Sequence, residues 1–142
     1  MKENEDLKNH MGMRLHSLST EEERIGRVIV NAAFRVHKEL GPGLLEKVYE
    51  TCLCHILKQE GLFVERQMLV SIVFEGMVLD EALRLDLMVN NLVICELKAS
   101  DTVNPVWEAQ LLSQLKLTNK RLGFLINFNV PLMKQGIRRM IR

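Results

Sequence analysis

Apolar residues recur along this chain with two different periods, and the switch between them divides it. After a polar opening, Ile25, Val28, Ile29, Ala32, Val36 and Leu40 follow one another at helical spacing. They stand behind Ser19-Thr20-Glu21-Glu22-Glu23, which offers overlapping Ser/Thr-x-x-Glu capping boxes. The spacing predicts a helix over roughly residues 20–40, stopped by Gly41. Gly41-Pro42-Gly43 reads as a tight connection, and residues 44–60 as a second helix with Leu45, Val48, Cys52 and Ile56 on its apolar stripe. From Phe63 the period becomes two. Residues 63–70 and 71–74 read as one long bent strand, Glu75-Gly76 as a turn before Met77-Leu79, and residues 83–89 and 92–97 as two further strands around Asn90-Asn91. The last two are apolar on both faces, as central strands covered from each side are. Asn104-Pro105 then starts a third helix, with Trp107, Leu111, Leu112 and Leu115 as its buried stripe. Residues 122–128 form another strand, 131–136 a turn or short helix, and 137–141 an edge strand or helical end. This order is that of an α+β or mixed α/β sandwich.

Size adds that one domain accounts for the chain: 142 residues suit a single core, expected over residues 19–142 behind a loose tail at 1–18. No apolar run reaches bilayer length and the opening is too charged for a signal-peptide core, so the expected location is the cytoplasm and no membrane is involved. Cys52, Cys54 and Cys95 match no metal or redox spacing and are read as buried thiols. The net charge of +1 hides an asymmetry. Residues 109–142 hold seven basic residues and no acid, against 12 basic and 18 acidic residues in the first 108. Lys116, Lys120, Arg121, Arg138 and Arg139 in that basic third are candidates for binding nucleic-acid phosphates; a solvated face balancing an acidic half is the plainer alternative.

The sharpest chemistry lies in Glu96-Leu97-Lys98, at the end of a strand, with Asp86 on the strand before. Residues two apart share a strand face, so Glu96 and Lys98 project together. Asp86 joins them only under a condition. A two-residue Asn90-Asn91 loop sends Asp86 and Glu96 to opposite faces, whereas a three-residue loop, Asn90 to Leu92, or a bulge brings them together. Glu46 lies on a helix with Tyr49, Leu53 and Leu57 at i+3, i+7 and i+11, either completing the site or bordering a solvated groove. Gln110 and Gln114 are one helical turn apart, placed to orient water or simply to mark the edge of the core. Carboxylates sharing a face suit Mg²⁺ (or Mn²⁺), and a neighbouring lysine suits charge developing on phosphorus, which together equip a site for phosphodiester hydrolysis.

Several ordered motifs resemble the GxxExxY proteins of the PD-(D/E)XK nuclease superfamily. Gly43-Leu44-Leu45-Glu46-Lys47-Val48-Tyr49 matches the name-giving motif at every specified position. The likeness continues through Gly61–Gln67, Arg84–Val89, Glu96–Ala99, Ala109–Leu112 and Gly123–Val130, from about residue 22 onward. The resemblance implies a restriction-endonuclease-like core, a central mixed sheet flanked by helices. It implies Asp86 and Glu96 as the principal metal ligands, Glu46 as the helix-borne acid completing the metal site, Lys98 as the catalytic lysine, and Gln110 as the glutamine of a Gln-x-x-x-Tyr pattern. This chain has Gln114 at the tyrosine position. The expected function is metal-dependent cleavage of nucleic acid, DNA before RNA, with a homodimer left open. The alternatives are a catalytically silent module of the same fold that binds nucleic acid or a protein, and phosphoryl chemistry on a small nucleotide.

Overall fold

The computed structural model describes residues 17–142. The tail expected over 1–18 falls almost wholly outside them. Helix α1 (Thr20–Leu40) opens on one of the capping boxes: the Ser19 hydroxyl accepts from the Glu22 amide at 3.0 Å, while the Glu22 carboxylate accepts from the Ser19 amide at 2.8 Å. Helix α2 spans Glu46–Gln59. Strands β1 (Val64–Phe74) and β2 (Met77–Val89) form a long hairpin, and β3 (Val93–Lys98) follows. Helix α3 (Val106–Thr118) crosses back to β4 (Leu122–Asn127), and a single turn, α4 (Met133–Gly136), leads into the edge strand β5 (Ile137–Ile141). No described helix is long and apolar enough to cross a membrane.

The five strands lie in the order β1-β2-β3-β4-β5. All neighbours are antiparallel except β3 and β4, which run parallel and need the α3 crossover to do so. The expected mixed sheet between helices is therefore present. Its central strand β3 is buried throughout except at Lys98. On one face α1 and α2 cover it, with Ile25, Ile29, Tyr49, Leu53 and Leu57 packed on Leu87, Cys95, Leu97 and Phe124. On the other, Leu111 and Leu115 of α3 pack on Met88, Ile94 and Leu125. The approach of α3 is close: a Cβ at Gly123 would meet the Leu111 side chain at 2.9 Å and the Ile94 carbonyl at 3.3 Å.

Two expected stripes are corrected. On α2 the fully buried apolar set is Tyr49, Leu53, Cys54 and Leu57; of the expected stripe, Cys52 and Ile56 pack partly buried against that core, whereas Val48 is exposed and Leu45 stays 77% exposed. The helix starts two residues later than the apolar run suggests, because Leu44 and Leu45 belong to the connection. On α3, Leu112 is exposed and Gln114 is buried in its place. The helix also begins at Val106, with Asn104 Oδ1 accepting from the Val106 amide at 3.0 Å. The three cysteines are free thiols; Cys54 and Cys95 are buried and Cys52 partly so.

Tyr49 ties the first half of the fold together. Its ring stacks on Phe128 with centroids 4.6 Å apart. Its hydroxyl donates to the Gly41 carbonyl at 2.6 Å and accepts from the Leu44 amide at 3.1 Å. Those bonds pin the loop that delivers Glu46. Tyr49→Phe is expected to cost about 1–2 kcal/mol, read from urea unfolding at constant m-value.

Candidate functional site

The loop between β2 and β3 settles which face Asp86 occupies. Val89 pairs with Val93, Met88 with Ile94 and Leu87 with Cys95, so the loop holds three residues, Asn90, Asn91 and Leu92. Asn90 and Asn91 both take the left-handed backbone region, at φ 49° and 53°, which asparagine tolerates better than most residues. The Asn90 side chain also accepts from the Phe63 amide at 2.7 Å. Continuing this register by one pair sets Asp86 opposite Glu96, on one face. The condition on loop length is met.

Contacts bear this out. The Leu97 amide donates to Asp86 Oδ2 at 2.8 Å, and the Asp86 amide stands 3.4 Å from Glu96 Oε1. The backbone ladder between β2 and β3 stops at Leu87 and Cys95, and these carboxylates take over where it ends. Lys98 shares the face of Glu96 by strand alternation. Its ammonium lies 5.3 Å from the centre of the Trp107 ring, a cation–π contact that holds the charge beside α3.

Helix α3 supplies a glutamine, but the second of the two. Gln114, 8% exposed, donates from Nε2 to Glu96 Oε1 at 3.1 Å. Gln110 is exposed and makes no side-chain hydrogen bond among the described residues. Glu96 itself is 9% exposed, and its carboxyl is pushed up to about 7, chiefly by burial and then by the neighbouring Asp86 charge; Gln114, the Asp86 amide and Lys98 oppose this. Glu46, at the first position of α2, is also raised, by burial first and then by Asp86, with Lys98 acting against. Glu46 is therefore within electrostatic reach of Asp86 and Lys98 from α2, without a direct contact to either. Removing the Gln114 bond should raise Glu96 further, so Gln114→Met is expected to move the acidic limb of any pH–rate profile to higher pH. A profile unmoved by the change would show that Glu96 does not set that limb.

Sequence reasoning missed a buttress behind Asp86. Gln67 takes a left-handed conformation, φ 50°, at a gap in the β1–β2 ladder between the Arg66–Leu87 and Met68–Leu85 pairs. Its amide donates to Glu50 Oε1 and stands 3.4 Å from Asp86 Oδ1. Glu50, buried, is also paired with Arg66 at 2.9 Å. Backbone strain at a glutamine beside a carboxylate pair is typical of a functional site. Nothing in residue type or period announces it, although Gln67 does lie inside one of the matched motifs. Asn127, the register partner of Lys98, is a second missed residue. Its amide holds the Ser100 backbone from both sides, at 3.1 and 3.0 Å, closing the loop after Lys98.

The basic candidates are scattered. Arg138 and Arg139 project from opposite faces of β5, one 3.7 Å from Glu108 on α3 and the other 2.8 Å from Glu23 on α1. Lys116, Lys120 and Arg121 lie where α3 ends and β4 begins. Because Leu122 pairs with Val93 and Asn127 with Lys98, they sit at the opposite end of the sheet from Lys98.

A family model described as the PD-(D/E)XK nuclease superfamily matches residues 23–140. The chain belongs to that superfamily. No curated protein and no solved structure matches it significantly. PD-(D/E)XK nucleases generally use divalent metals, and the donor set of this chain fits one. Protein donors hold Oδ2 of Asp86 and Oε1 of Glu96, which leaves Glu96 Oε2 without a protein donor among the described residues and Asp86 Oδ1 with only the long, 3.4 Å contact of the Gln67 amide. Gln114 Oε1 is buried with no hydrogen-bond partner among the described residues, an acceptor placed for a water. Mg²⁺ commonly binds through one or two carboxylates and keeps several waters. Among the described residues, no three His, Cys, Asp or Glu side chains close into a cage, so Glu46 stands within electrostatic reach of the pair without completing it.

Proposed function

We propose that this PD-(D/E)XK protein, of the GxxExxY branch, is a divalent-metal-dependent nuclease that hydrolyses phosphodiester bonds of nucleic acid, DNA before RNA. The observation that carries the reading is the placement of Asp86 and Glu96 on one face by the three-residue loop, two residues before Lys98. Asp86 and Glu96 would hold Mg²⁺ or Mn²⁺ through Asp86 Oδ1, which has only the long Gln67 contact, and Glu96 Oε2, with Glu46 contributing charge from α2. A bound ion supplies polarisation of the phosphodiester and a water of lowered pKa.

The chain's own residues do the rest. Lys98 donates to the attacking water and to a phosphate oxygen, offsetting charge that grows in the transition state. Trp107 shields one side of that ammonium and limits the positions it takes. Gln114 and the Asp86 amide fix the Glu96 carboxylate, while Gln67 and the Leu97 amide fix Asp86, so the pair is oriented before substrate arrives. Gln110 keeps an outer role on α3, over the substrate rather than in the carboxylate pair.

The test is cleavage of labelled single- and double-stranded DNA and RNA with Mg²⁺, Mn²⁺ or EDTA. Cleavage with either ion, abolished by EDTA and by Glu96→Gln, is the expected result. The silent binding module draws support from the hydrogen bonds that already engage both carboxylates, and binding without cleavage of any substrate under any ion would establish it instead.

A further inference from the structure

Helix α1 carries an outer stripe that neither core uses. Asn31, Phe34, Arg35 and Lys38 follow at i, i+3, i+4 and i+7, all exposed, and Phe34 leaves 44% of its surface open. They wall a groove of about 570 Å³ whose far side carries Leu132 and Lys134, with His37 also lining it. Every ionisable side chain on the groove is basic. Arg35, Lys38 and Lys134 form no ion pair among the described residues, whereas Arg66, Arg138 and Arg139 each have a carboxylate partner. Offsetting the negative end of α1 explains bases in its last turn. It explains neither Lys134 across the groove nor an open phenyl ring between cations.

The groove's position ties it to the site. His37 Nε2 lies 2.8 Å from the Val130 carbonyl, and Val130 is three residues beyond Asn127, the partner of Lys98. The Phe128 amide donates to the Lys98 carbonyl at 2.9 Å. Val130 also lines a cleft of about 270 Å³ on the α3 side, together with Trp107 and Asn127. The segment 130–134 is thus the ridge between the lysine's surroundings and the basic groove. Both open at the same end of the sheet, opposite to Lys116 and Lys120.

We propose that this groove binds the backbone of single-stranded nucleic acid running on from the active site, with Arg35, Lys38 and Lys134 on phosphates and Phe34 stacked on an unpaired base. The proposal rests on the nuclease reading and names the strand form it would hold. Single-strand binders combine a cationic track with aromatic rings, and a ring can stack only on a base freed from its partner. Loose phosphate contacts set affinity without reading sequence.

Fluorescence anisotropy in EDTA, with a labelled oligothymidylate and a blunt duplex of equal length, tests it. The triple variant Arg35→Gln, Lys38→Gln, Lys134→Gln is expected to bind the single strand at least about tenfold more weakly. Its slope of log affinity against log salt should fall by about two to three. Phe34→Ala should weaken single-strand binding by about fivefold or more and leave the duplex unchanged, and Phe34→Leu, which keeps the bulk without the ring, should behave alike. Lys116→Gln with Lys120→Gln should do little. Wild-type affinity in the triple variant, or an equal loss in the Lys116 and Lys120 pair, overturns the groove while leaving the nuclease reading intact. No binding of either probe by folded wild-type protein also overturns the groove, and cleavage with Mg²⁺ or Mn²⁺ decides the nuclease reading separately.

Discussion

Glu96→Gln is expected to make the metal-free protein more stable at pH 8 and at the same time to abolish cleavage. In the folded chain the Glu96 carboxyl titrates at about 7, against 4.5 for an unperturbed glutamate. A raised folded pKa means that the proton favours the folded state. That contribution is fully present below about pH 4.5 and is lost as pH rises through about 7. Above neutrality the apo protein therefore carries a buried ionised carboxylate beside Asp86, at a cost on the order of 3 kcal/mol. Glutamine keeps the shape and the acceptor oxygen that Gln114 and the Asp86 amide use, and removes the charge. In EDTA its melting temperature should exceed that of wild type by roughly 5–10 °C at pH 8, with the gap closing by pH 5. Calorimetry at the two pH values checks this. A glutamine variant that melts below wild type at pH 8 would show that ionised Glu96 is well accommodated without a cation. Stability gained where function is lost is the expected trade at an active site.

Lys98→Ala should lower kcat by about 10²–10⁴-fold while leaving substrate affinity within a few-fold. Lys98 is not part of the basic groove, and its ammonium is held over Trp107 with no ion pair within contact distance among the described residues, although its charge offsets those of Glu96 and Glu46. Its value lies in the transition state, where charge on the phosphoryl oxygens is largest. Lys98→Arg is the informative companion: a guanidinium keeps the charge and the stacking contact but cannot give up its proton. Recovery by arginine would assign Lys98 to charge stabilisation, and no recovery would assign it to handling the proton of the attacking water. A Lys98→Ala protein that cleaves at the wild-type rate removes Lys98 from the mechanism altogether.

Most of the architecture was legible because period and punctuation agree along this chain. Ser19 with Glu22, Gly41, Gly61 and Glu75-Gly76 bound their elements where expected, and β3 reads as apolar on both faces because helices cover both. The condition on the loop was legible too, since parity alone decides whether Asp86 meets Glu96. Which loop length the chain adopts was not, because it depends on Asn90 and Asn91 both entering the left-handed region, a choice made jointly with the Asn90 bonds to Phe63. The α2 stripe failed for a related reason. Leu44, Leu45 and Val48 are as apolar as Tyr49 and Leu53, and the stacking of Tyr49 on Phe128 together with its hydroxyl bonds to the Gly41–Leu44 loop favours the rotation that buries Tyr49, Leu53 and Leu57. Between Gln110 and Gln114, one turn apart, the sequence offers no means of choosing. The packing of Leu111 against Gly123 rotates Gln114 toward Glu96. Proximity in sequence does not carry over to space in the basic tail: alternation on β5 parts Arg138 from Arg139, while Arg35 and Lys134, nearly a hundred residues apart, share one groove.

Whether Asp86 and Glu96 form a cation site is tested most directly by Mn²⁺ binding, followed by electron paramagnetic resonance on purified wild type, Asp86→Asn and Glu96→Gln. The expected result is one Mn²⁺ bound per chain, displaced by excess Mg²⁺, and lost in both variants while their circular dichroism stays that of wild type. Folded wild-type protein that binds no Mn²⁺, or variants that bind it as wild type does, would contradict a metal centre at these two carboxylates.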